Sequence, residues 1–95
     1  MAIELKPFDG AKYLTDPEDQ QELLDDAIAS GDVHIVAKAI GYVARARGMT
    51  ELANETGIKR QALYRAFSDQ GNPTLETLLK VLPALGLRMR VEQAA

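Results

Sequence analysis

Ninety-five residues, 46% of them hydrophobic and 26% charged, suffice for one soluble domain with a single modest core. The chain has no cysteine, which excludes disulfides and thiolate metal sites, and no apolar run approaching the roughly 18 residues of a membrane span. Its net charge of −3 is unevenly spread: residues 1–32 hold nine acidic and two basic side chains, residues 33–95 nine basic and five acidic. A basic stretch suits the phosphate backbone of a nucleic acid and an acidic one suits a basic protein. The first residues, MAIELKPFD, lack the apolar segment of a signal peptide, so a cytoplasmic location is expected.

In chain order, Ile3-Glu4-Leu5-Lys6 alternates apolar and polar residues before Pro7, a candidate short strand or extended arm. Phe8, Tyr13 and Leu14 add apolar surface around Gly10, for the protein's own core or for a partner. A helix then starts at Asp16, with Asp16 as N-cap, Pro17 in the first helical position and two more acids favoured by the helix dipole. Leu23, Leu24, Ala27 and Ile28 are expected on its inner face, and Ser30-Gly31 ends it. Asp32 caps a second helix, about residues 33–47, with Val36, Ile40, Val43 and Ala44 inward, Lys38, Arg45 and Arg47 outward, and Gly48 as its C-cap. His34, the one histidine, has no second histidine or nucleophile beside it in the sequence and reads as a surface residue.

Residues 49–87 carry the most informative pattern. Thr50 reads as the N-cap of a short helix with Leu52 and Ala53 on its inner face, and its hydroxyl and the adjacent amides could hold a phosphate. Gly57 can take the left-handed conformation that ends that helix, and Ile58 plugs the corner before a second short helix over residues 59–68. Leu63 and Phe67, four apart, face inward. The other side keeps Lys59, Arg60, Gln61, Tyr64 and Arg65, with no carboxylate before Asp69. Arginine can grip guanine O6 and N7 with two donors, glutamine can do the same for adenine N6 and N7, and lysine neutralises phosphate. This is the pattern of a helix-turn-helix whose second helix reads DNA. Lys59 stands where a Ser, Thr or Asn cap is common, so the start of that helix is expected to lack its cap.

Thr74 caps a further helix with Leu75, Leu78, Leu79 and Leu82 as its expected buried stripe, a kink or early end at Pro83, and Gly86 closing the element. Leu87-Arg88-Met89-Arg90-Val91 alternates strictly, the pattern of a half-buried strand that needs a partner: residues 3–6, a second copy, or another protein. Two recognition helices about 34 Å apart are needed to read a palindromic site, so a homodimer is expected. The fold class expected is mainly all-α, five helices with a short C-terminal strand and a possible N-terminal one. No glycine-rich phosphate loop, no nucleophile with a base in register and no metal-ligand spacing occurs, so neither an enzyme nor a cofactor or metal is expected.

From about Phe8 to Val91 the chain resembles the addiction-module antidote proteins of the Xre (phage-repressor-like, HigA-like) helix-turn-helix family. The features that carry the likeness are KPFDGAKYL, the acidic helix after it, and MTELANETGIKRQALYRAFSDQGNPTLETLLKVLPALGLRMRV. The resemblance implies a lambda-repressor-like fold and an antitoxin of a type II toxin–antitoxin module. It would neutralise a small basic RelE/ParE-like (HigB-like) toxin by direct binding and repress the shared operon. It also implies base reading by Arg60, Gln61 and Arg65, flanking contacts by Lys59 and Tyr64, and a phosphate contact by Thr50. Residues 1–32, through their acidic charge and Ile3, Leu5, Phe8, Tyr13 and Leu14, are the candidate toxin-binding segment, and residues 33–95 the DNA-binding domain with its strand. A stand-alone Xre-type repressor without a toxin is the first alternative, and an interaction module that has lost DNA binding the second.

Overall fold

The structure, a computed structural model, describes residues 16–94. Among these, five helices follow one another and no strand forms: α1 (Pro17–Ala29), α2 (Val33–Arg47), α3 (Met49–Thr56), α4 (Arg60–Ala66) and α5 (Leu75–Ala84). The mainly helical class is as the sequence predicts.

Local chemistry sets most of the boundaries. Asp16 Oδ1 accepts from the Glu18 amide at 2.9 Å, and Pro17 opens α1 with its acids in the first turn. Asp32 Oδ1 accepts from the amides of His34 and Ile35 at 2.8 and 3.4 Å, fixing the start of α2 two residues after Ser30 closes α1. Thr74 accepts from the Thr77 amide at 3.1 Å and starts α5. At the far end of α5, the Leu87 amide donates to Leu82 O at 2.8 Å and the Gly86 amide to Pro83 O at 2.9 Å, a Schellman closure. The helix runs through Pro83 to Ala84, so it does not end at the proline as expected, and the closure at Gly86 sets its end.

Thr50 is not a cap. Gly48 ends α2 and is also the residue before α3, so α3 begins at Met49 and Thr50 is its second residue. One glycine serves two helices, and no side chain caps α3. The helix predicted over residues 59–68 spans Arg60–Ala66, with Lys59 as an N-cap that makes no side-chain bond and Phe67 closing it.

α1 packs on α2, while α3 touches α2, α4 and α5 and so sits at the centre of the bundle. The core joins Leu24 and Ala27 of α1, Ala39, Ile40, Val43 and Ala44 of α2, Met49 and Leu52 of α3, Leu63 and Phe67, and Val81 and Leu85. Val36, Ala53, Ile58, Leu78 and Leu82 pack against it half-buried. Two sequence expectations fail here. Ile28 lies at the edge of the inner face of α1 and is 63% exposed. In α5, Leu75 and Leu79 are 61% and 55% exposed, and Val81 and Leu85 take the buried places beside Leu78 and Leu82. Apolar residues at 75, 78, 79, 81, 82 and 85 offer two overlapping stripes, and contact with α3 selects the later one.

The predicted strand at residues 87–91 is absent. Leu87 packs against the core, but residues 88–94 run without a ladder among the described residues, with Met89 and Val91 exposed. A strand exists only when paired, and its intrachain candidate at residues 3–6 lies outside the described residues.

Candidate functional site

The α3–α4 pair is built from its inner side outward. Leu52, Leu63 and Phe67 are at most 1% exposed and anchor both helices to the core. Between them Gly57 adopts φ 77°, the left-handed conformation that a residue with a Cβ takes only under strain, and its amide donates to Ala53 O at 2.9 Å. The Thr56 hydroxyl donates to Leu52 O at 2.8 Å and accepts from the Ile58 amide at 3.2 Å, so the last turn of α3 and the connecting residues 57–59 are braced.

With Leu63 and Phe67 turned inward, Lys59, Arg60, Gln61, Tyr64 and Arg65 are all exposed. None of the three cations is in an ion pair among the described residues, whose ion pairs are Arg47–Glu55, Lys80–Glu76 and Arg90–Glu92. Their charge is available to an outside partner. Thr50 stands beside this set: the Arg60 Nη1 donates to Thr50 Oγ1 at 2.8 Å. The structure thus brings Thr50 and Arg60 into contact and carries Lys59, Arg60, Gln61, Tyr64 and Arg65 on the outward side of one short segment.

Sequence reasoning did not find the Thr50–Arg60 contact, because the two are ten residues apart on different helices. It also did not find that Arg45 stacks over Tyr42, with Cζ 5.4 Å from the ring centroid, although their i, i+3 spacing on a helix was a signal for it. Arg47, at the end of α2, reaches Glu55 of α3 at 3.6 Å.

The second charged surface is α1. Residues 16–32 contain seven carboxylates and no cation, whereas residues 1–15 contain two of each, so the whole acidic excess of the first 32 residues lies on and around α1. Asp16 and Asp32 are used as caps, and Asp25 accepts from Gln21 Nε2 at 3.0 Å. Asp19, Glu22 and Asp26, at i, i+3 and i+7, form one exposed stripe without an ion pair among the described residues. Ile3, Leu5, Phe8, Tyr13 and Leu14 lie outside the described residues. Among the described residues, no group of three or more His, Asp or Glu side chains is placed to hold a metal, and no helix is long and apolar enough to cross a membrane.

The class these features define is a small helical protein with a cationic surface on one helix and an anionic surface on another. A family model described as "Probable addiction module antidote protein" matches residues 4–93, and the chain belongs to that family. It is also similar to a Haemophilus influenzae protein described as "Uncharacterized protein", with 40% identity over 94 residues that cover 99% of this chain and 97% of the relative. No solved structure matches the chain. Membership of the antidote family makes this a non-enzymatic regulatory protein whose counterpart is a cognate toxin.

Proposed function

We propose that this chain is the antitoxin of a type II module. It binds directly to a small basic toxin of RelE/ParE-like fold and, as a HigA-like homodimer, represses its own operon by placing α4 in successive major grooves. The observation that carries the DNA half is the outward set Lys59, Arg60, Gln61, Tyr64 and Arg65, without a counter-ion among the described residues, on a helix held from beneath by Leu63 and Phe67. That set holds the donors that guanine and adenine edges accept and cations for the flanking phosphates. Supporting the toxin half are family membership and the exposed stripe Asp19, Glu22 and Asp26, which has no ion pair among the described residues and is opposite in sign to a basic partner.

A mobility shift on the DNA upstream of the gene tests the DNA half. Arg60→Ala should relax preference at one base position, at a cost of about 1–3 kcal/mol, and Lys59→Ala should weaken all sequences alike. Binding should fall steeply with salt. Salt-insensitive or absent binding would leave α4 as an ordinary solvated surface.

A further inference from the structure

We infer that Thr50 is a positioning residue for Arg60: it holds the guanidinium by one nitrogen and leaves the opposite edge free to read a guanine. The inference rests on the reading of α4 as the base-contacting helix and adds which atom sets its specificity. Thr50 sits in the first turn of α3 between Met49 and Leu52, which are 6% and 0% exposed, so its backbone is fixed by the core. Arg60 is the first residue of α4, whose start has no side-chain cap. The 2.8 Å bond from Nη1 to Thr50 Oγ1 is the one side-chain hydrogen bond joining α3 to α4 among the described residues.

The chemistry of the pair fixes what remains available. Arginine has five N–H donors in a rigid plane, and only one is spent on Thr50. The Nε–Nη2 edge keeps two parallel donors, the arrangement that matches O6 and N7 of guanine. A long side chain otherwise free to rotate is held in one direction before DNA arrives, so less freedom is lost when the contact forms. The threonine hydroxyl accepts from Arg60 and retains its own proton, which it can donate to a phosphate. One side chain then links backbone contact to base reading.

The pair is exposed, so it adds little to folding. Thr50→Val keeps the shape and β-branch of threonine and removes the acceptor; Thr50→Ser keeps the acceptor. The test is selection from a randomised duplex library by the full-length wild type, both single variants, Arg60→Ala and the double variant Thr50→Val/Arg60→Ala. Melting temperatures of the Thr50 variants should agree with wild type within about 4 °C. We expect Thr50→Val to lower the preference for the favoured base at one position per half-site by about fivefold or more, Thr50→Ser to restore it, and Thr50→Val to leave base preference unchanged once Arg60 is alanine, any lost phosphate contact then weakening all sequences alike. A consensus unchanged by Thr50→Val, with or without uniform weakening on all sequences, would overturn the inference while leaving α4 as the reader. No enrichment by the wild type would overturn the reading of α4 and this inference with it.

Discussion

His34 Nδ1, in the first turn of α2, lies 2.9 Å from the carbonyl oxygen of Gly71, thirty-seven residues further along the chain. The imidazole is exposed, as the sequence predicts, but it ties the loop of residues 68–74 to the start of α2. Gly71 itself is buried, so its carbonyl would lose a partner where water reaches poorly. His34→Ala should therefore lower stability by about 1 kcal/mol, read from urea unfolding, and raise amide exchange in that loop.

Gly41 has an ordinary helical setting, and in a solvent-facing helix alanine there would stabilise by about 1 kcal/mol. Here a Cβ would collide with the backbone carbonyl oxygen of Phe67. Backbone on backbone cannot give way as a side-chain tip can. Gly41→Ala is thus expected to destabilise by about 1–3 kcal/mol, a reversal of sign that thermal unfolding would register.

The phase of α5 and the burial of α4 make opposite predictions for chemically identical substitutions. Leu63 is 0% exposed, and Leu63→Ala should cost about 2–5 kcal/mol. Leu79→Ala, at 55% exposure, should cost less than about 1 kcal/mol. Comparable losses in denaturant unfolding would mean that the stripe of α5 is wrongly placed.

Because α1 supplies Leu24 and Ala27 to the core, its role toward a toxin is tested by surface charge and not by deletion. Glu22→Lys together with Asp26→Lys should slow association with a basic toxin about tenfold or more at low salt and flatten its salt dependence. The fold should persist, since the reversal also relieves like-charge repulsion along the helix. Unchanged association kinetics would place the toxin on another surface.

How far the sequence spoke depends on the range of the interaction. Asp16, Asp32 and Thr74 are legible as caps because a cap bonds within three residues of itself, and Leu63 and Phe67 are legible because one helical stripe was on offer. Thr50 was misread because Gly48 ends α2 and immediately precedes α3, leaving no room for a cap at residue 50. Leu75 and Leu79 were misread because α5 carries two stripes, and the choice between them belongs to α3. The bonds Thr50–Arg60 and His34–Gly71 join residues remote in sequence, and no local pattern announces them. The alternation at residues 87–91 describes what a strand would bury, but pairing decides whether one exists.

The central claim is that this chain binds a toxin directly and DNA through α4. The most direct measurement is co-purification: the tagged chain is expressed with the adjacent reading frame, and the eluate is examined for a second chain and for retardation of the upstream promoter fragment. The account predicts a stoichiometric small basic partner and a retarded fragment, whose sequence preference relaxes in Arg60→Ala. A single chain in the eluate that neither retains a partner nor shifts the fragment would contradict it.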